Sequence, residues 1–312
     1  RRAVRHRSPS PQLACVCETK NKQMKSIIQF WLGHGLAKRR LLLVFWKFVH
    51  WQFISRIKQT HVVPFATKSK LIVKKGMTGA TGNIYCGLHE FEDMGFLLHA
   101  MRGEDCFVDV GANIGSYTIL ASSEIGTETY SFEPIPVTFS HLETNIRENN
   151  AVVHAHNSGV GHENGILTFT EERDTVNHVI PNGGKGIKVP VIPLDDVQFP
   201  NKAIFVKIDV EGFEKFVIDG GVTLFGPSGK AVALIIELNG SGKRYDISDF
   251  TIHEKLVQDG YEAHLYDPID RKLTSISKPG HHNTIYIRRE KVQWISERTK
   301  SARTYKILGI EF

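Results

Sequence analysis

Short apolar runs recur along the chain at a spacing that alternates with helical periodicity. The run through Val108 and Val110 is followed by a turn and by Tyr117, Ile119 and Leu120 at helical intervals. Thr127 to Phe132 precedes Phe139, Leu142 and Ile146 on one helical face, and Val152 to His156 makes a third strand. Ile204 to Ile208 leads into a helix carrying Phe213, Phe216 and Val217 that stops at Gly220-Gly221. Ala233 to Ile236, a helix near Asp249 to Asp259, then Tyr261 to Tyr266 and Thr284 to Ile287 complete the series. Strands and helices in this alternation predict an α/β fold: a doubly wound, Rossmann-like, mostly parallel seven-stranded sheet with helices on both faces.

Two segments depart from that rhythm. Gly165 to Thr170 and Lys188 to Ile192 read as a β-hairpin around the polar, glycine-rich loop Glu171 to Gly186. Leu71 to Gly87 reads as strand, turn and strand, with the turn at Thr78 to Gly82, leading into a helix from His89 to Met101. Both are places where an acceptor molecule would be chosen.

Before the sheet, residues 24–66 form a basic, aromatic helical extension, and residues 1–23 a basic tail without periodicity, expected to be disordered. The catalytic domain is expected over residues 67–290, with a C-terminal tail at 291–312. No Asp or Glu occurs from Thr19 to His89, which sets the N-terminal region apart within a net charge of +6. Lys38-Arg39-Arg40 and Lys47 interrupt the apolar stretch, so a membrane-spanning helix is disfavoured. Two readings of residues 24–57 stay open: a helical cap packed on the catalytic domain, or an interfacial helix making peripheral contact with an anionic membrane. Nucleic acid is not expected, since a basic patch alone is weak evidence. The four cysteines, Cys15, Cys17, Cys86 and Cys106, form no CxxC pair, which suits reduced thiols and a cytoplasmic domain.

In a doubly wound sheet, ligands sit beyond the carboxyl ends of the strands where strand order reverses. The polar residues after successive apolar runs are Gly111 to Gly115, Glu133, Ser158, Asp209 and Glu237. Positions two and five after Gly111 are Asn113 and Ser116, so a dinucleotide fingerprint fits poorly, although Glu133 would suit a ribose diol in either cofactor. Asp109-x-Gly111-x-x-x-Gly115 resembles motif I of the class I S-adenosylmethionine-dependent methyltransferases instead.

DVGANIGSYT at 109–118, SFEPIPVTF at 131–139, Leu194-Asp195-Asp196-Val197, KIDVEGFE at 207–214 and IIEL at 235–238 stand in one order. In that order and spacing the chain resembles the FkbM family of S-adenosylmethionine-dependent methyltransferases, from about Tyr85 to Ile287. The resemblance implies O-methylation of a hydroxyl on a carbohydrate, glycoconjugate or natural product. It places Asp109, Gly111, Asn113 and Gly115 along the methionine side of the cofactor, Glu133 on the ribose, Ser158 near the adenine and Asp209 at the reacting centre. The rival classes are an NAD-dependent oxidoreductase and a non-catalytic, membrane-associated binding module.

An alcohol needs its proton removed as it attacks, and Asp209, Glu211 and Glu237 are the candidate bases. His141, His178, His281 and His282 are weaker candidates. As an alternative, Asp209, Glu237 and Asn239 offer three oxygen ligands of the kind Mg²⁺ accepts.

Overall fold

The computed structural model describes residues 24–170, 177–181, 184–280 and 282–312. The basic segment 1–23, His281 and part of the 171–186 loop lie outside them. Helix α1 (residues 24–33) and α2 (Leu41–Ile57) precede the hairpin β1 (Thr60–Phe65) and β2 (Ser69–Lys74), then α3 (Thr78–Cys86) and α4 (Phe91–Ala100). The sheet strands are β3 (Cys106–Val110), β4 (Glu128–Phe132), β5 (Val153–His156), β9 (Ile204–Ile208), β10 (Ala231–Glu237), β11 (Tyr261–Asp267), β12 (Lys272–Ser275) and β13 (Asn283–Arg288). A separate small sheet joins β6 (Gly159–Val160), β7 (Gly165–Phe169) and β8 (Ile187–Ile192).

The main sheet runs β12-β11-β13-β10-β9-β3-β4-β5. The five strands from β10 to β5 are parallel, and β13 is antiparallel to both β10 and β11. The seven strands expected from sequence are there; the edge hairpin adds β12 as an eighth. Strand order reverses between β3 and β9, so the crevice opens at their carboxyl ends.

Period-two alternation sends the strand side chains to two cores. Phe107, Phe205, Ala233, Ile285 and Ile287 face one, with helix α4 and the C-terminal residues Ile295 and Phe312. Val108, Val110, Val206, Ile208 and Ile236 face the other, with Leu224, Phe225, Ile252 and Leu256. Asp109 and Lys207 share the parity of Phe107 and Phe205, and they stand side by side in the β3–β9 register. The segment 291–312 is peripheral in sequence and central in space: α10 (Val292–Lys300) places Ile295 in the core, and Arg298 pairs with buried Asp105.

The region expected as a turn at Thr78 to Gly82 is the start of helix α3. The preceding strand is real but belongs to an antiparallel β1–β2 hairpin, whose turn is held by the buried Glu124 carboxylate through Thr67, Lys68 and Ser69. The extension is helical as expected through Ile57, but its last residues form strand β1. Trp31, Leu36, Val44 and Trp51 are buried on its inner side, and Lys47 Nζ donates to the Ile84 carbonyl, 3.2 Å away, tying α2 to α3. No described helix is long and apolar enough to cross a membrane.

Candidate active site

The turn after β3 is dictated by what crosses it. Gly111 adopts φ +84°, and a Cβ there would lie 1.8 Å from the Asp209 carbonyl oxygen at the end of β9. Only glycine lets the two strand ends meet at the reversal point. Asn113 is also left-handed, at φ +51°. Gly115 does something else: a Cβ would strike Leu142 Cδ1 at 2.6 Å, so it allows α5 (Ser116–Ile119) to start against α6 (Pro136–Glu148), and it borders neither cavity described below.

On one side of the Gly111–Asp209 contact lies a narrow cleft walled by Ile135, Val160, Phe169, Val210 and Phe213. Glu133 closes one end. Its Oε1 accepts from Ile135 N and its Oε2 from Asn113 N, both at 2.9 Å. Burial pushes its pKa up to about 7 against the pull of those two bonds. Each oxygen keeps a lone pair, the pattern a vicinal diol needs. Ser158 lines the same cleft, with its buried Oγ lacking a hydrogen-bond partner among the described residues. A buried hydroxyl in that state has its hydrogen-bonding capacity available to a group entering the cleft.

On the other side the cavity widens to about 720 Å³ and becomes polar, lined by residues that include Asn83, His89, Glu90, Tyr117, Glu211 and Arg244. Asp209, Glu211 and Glu237 converge here, each offering an oxygen within 4.8 Å of the others. Burial and the neighbouring Asp209 charge drive Glu237 up to about 9, so it carries a proton at neutral pH. Glu211, raised to about 7 by burial and then by Asp209, is poised to exchange one. The backbone of Glu211 is left-handed, φ +55°, and Glu214 Oε1 accepts from Gly212 N at 3.0 Å to fix that turn.

A buried lysine organises the cluster. Lys207 Nζ donates to Asp209 Oδ2 at 3.2 Å and to Asn283 Oδ1 at 3.0 Å, 5.5 Å from the centre of the Tyr117 ring. Burial alone would lower its pKa, but Asp209, Glu90, Glu237 and Asp93 overcome this and raise it. Asn283 Nδ2 in turn donates to Glu90 and Asp93, and Tyr117 OH to Glu90 at 2.8 Å. Asp109 is buried beneath the turn, where its Oδ2 accepts from Thr118 Oγ1 at 2.6 Å, and burial raises it to about 6.

Most of the residues singled out from sequence therefore meet at one place. Glu133 and Ser158 line the cleft, Asp109, Glu237 and Asn239 line the wide cavity, and Gly111, Asn113, Asp209 and Glu211 border both. Asn239 Oδ1 accepts from Ser241 N at 2.9 Å, and the third carboxylate near Asp209 and Glu237 is that of Glu211. A divalent cation shared by these three carboxylates would sit beside the Lys207 ammonium on Asp209 Oδ2 and would displace the proton that burial favours on Glu237. His178 lines the wide cavity, His141 and His282 line neither, and His281 is outside the described residues. Glu90, Asn83 and His89 precede the motif series, and Lys207, although it opens the KIDVEGFE run, is given no role by it.

Residues 109–262 match the methyltransferase FkbM domain. The hexuronic acid methyltransferase AglP of Haloferax volcanii is 30% identical over 131 residues, covering 40% of this chain and 53% of that protein. The 31-O-demethyl-FK506 methyltransferase FkbM of Streptomyces tacrolimicus is 27% identical over 170 residues, 42% of this chain and 65% of the relative. The matches thus span between half and two thirds of those relatives' own lengths. Among solved structures, TYW2 of M. jannaschii in complex with AdoMet aligns with a TM-score of 0.40 at 14% identity, over 74% of this chain and 85% of that one. Precorrin-6y C5,15-methyltransferase of Geobacter metallireducens aligns with 0.39 at 14% identity, over 70% and 93%.

Proposed function

Because residues 109–262 match the methyltransferase FkbM domain, we propose that the chain moves a methyl group from S-adenosylmethionine to a hydroxyl of a carbohydrate, glycoconjugate or related natural product. The observation that carries this is the junction of two unlike cavities at Gly111 and Asp209: a narrow cleft with a free diol acceptor and an orphaned hydroxyl, opening into a carboxylate-rich cup. The residues fit the cofactor. Ile135, Val160, Phe169 and Phe213 would flank the adenine with Ser158 beside it, Glu133 would take the ribose hydroxyls, and the turn from Asp109 to Asn113 would border the methionine portion. When bound, the cofactor supplies an electrophilic methyl on a positively charged sulfur.

The chain's own groups do the rest. Carboxylates of the cup favour a cation near Asp209. Glu211, with a pKa near neutrality, takes the acceptor hydroxyl's proton, and Lys207 holds Asp209 in place between Asn283 and the cup. Carboxylates and Asn83 also suit hydrogen bonding to a polyol, and the two relatives act by name on a hexuronic acid and on 31-O-demethyl-FK506. Alignment of acceptor oxygen and methyl carbon, more than covalent chemistry, would supply the rate.

The test is transfer of labelled methyl from S-adenosylmethionine to a panel of sugars, uronic acids and macrolide alcohols, with analysis of the methylated atom. Label on an acceptor oxygen supports the proposal. Cofactor binding with label only on nitrogen or carbon acceptors overturns the hydroxyl assignment.

A further inference from the structure

Helix α2 is apolar on both sides. Its inner side is covered by Trp31, Tyr85 and neighbouring residues, but Leu42, Trp46, Val49, Phe53 and Ile57 follow one another at four- and three-residue steps on the outer side. They are 88%, 63%, 48%, 67% and 71% exposed, with Phe45 beside them. A soluble helix that is apolar all round is expected to be covered on all sides.

Charge says what covers it. Exposed Lys38, Arg39 and Arg40 stand just before the helix, and Arg56 and Lys58 stand at its end. Along the chain no carboxylate occurs between Thr19 and His89, and Glu92 of α4 is near enough to Lys38 to feel its charge. A second copy of this face would bring the same cations against one another. The first 23 residues carry Arg1, Arg2, Arg5, Arg7, Lys20 and Lys22 against a single acid, Glu18, so they too would be repelled from it. An anionic bilayer meets both demands, with apolar and aromatic side chains entering the headgroup boundary while the cations pair with lipid phosphates and carboxylates.

We infer that the outer face of α2 docks on an anionic lipid surface, lying in its plane without crossing it. Through Lys47, that helix clasps α3, which lines the wide cavity with Gly79 and Asn83. This inference stands apart from the methyl-transfer reading.

Co-sedimentation of the full chain with vesicles of phosphatidylcholine, with or without phosphatidylserine, tests it. The chain should pellet with the phosphatidylserine vesicles. Trp46→Glu/Phe53→Glu and, separately, Lys38→Glu/Arg39→Glu/Arg40→Glu should each weaken binding by about 10-fold or more. Circular dichroism melting shows that the variants are folded. Failure of the wild-type chain to pellet, or equal binding by folded variants, overturns the inference. So does a dimer in light scattering that Trp46→Glu dissociates while vesicle binding is absent.

Discussion

The narrow cleft and the wide cavity share Gly111, Asn113, Asp209 and Glu211, yet they are built by different means. Every cleft residue lies between Val110 and Phe213, inside the matched domain, most of them on strand ends and turns. The cup draws a wall from Gly79, Asn83, His89, Glu90 and Met94, all before it. The cleft has apolar walls with Glu133 and Ser158 among its polar groups; the cup gathers Glu90, Asp109, Asp209, Glu211 and Glu237 around buried Lys207. On the proposed reading, the difference teaches that the cofactor side would be set by the matched domain, whereas acceptor choice would fall to the N-terminal layer and the loop containing His178.

The strongest way to break this division is Asp209→Asn, which acts at the shared boundary. It should lower kcat by about 100-fold or more while S-adenosylmethionine affinity changes by roughly three-fold or less, measured by steady-state kinetics and titration calorimetry. A parallel loss of cofactor binding would place Asp209 with the cleft instead.

Next in size is the pH dependence. Protonated Glu211 cannot accept a proton, so kcat should rise about tenfold per pH unit up to about 7 and then level, and Glu211→Gln should remove that limb. Stability runs the opposite way. The folded protein raises Glu211 from 4.5 to about 7, so it favours the protonated form. Its contribution is full below about 4.5 and is lost as pH rises through 7, which melting curves of the ligand-free protein would follow.

The smallest expected effect sharpens the acceptor side. Arg244 borders the cup, and its Nη1 donates to the Glu211 carbonyl at 2.6 Å. Arg244→Ala should raise the acceptor KM about 3- to 10-fold and leave cofactor affinity alone.

How far this architecture could be read in advance depends on whether the cause is local. Asp109, Gly111 and Glu133 are legible because a buried strand followed by a tight turn writes itself in consecutive residues. Gly115 has an equally local signature, but its cause, contact with Leu142, lies in another helix. Helix α3 is obscured by its glycines, which favour a turn by about 1 kcal/mol each relative to alanine. Gly82 is there because the His89 ring fills the space a Cβ would need, 2.0 Å from its Nδ1. Lys207 stands in a motif that says nothing of its role. Its meaning depends on Asn283, 76 positions later, and on Glu90, far earlier in the chain. Short, polar β12 pairs only with β11 across a hairpin and carries little apolar pattern of its own.

The central claim is that the cleft beside Gly111 holds the cofactor through Glu133. Calorimetric titration of S-adenosylmethionine into the wild-type chain and into Glu133→Ala tests it most directly. The account predicts saturable one-site binding by the wild type and a Kd weakened by roughly 10- to 100-fold in the folded variant, from loss of charge-assisted hydrogen bonds. A folded wild-type chain that does not bind, or a variant that binds as tightly as wild type, would contradict it.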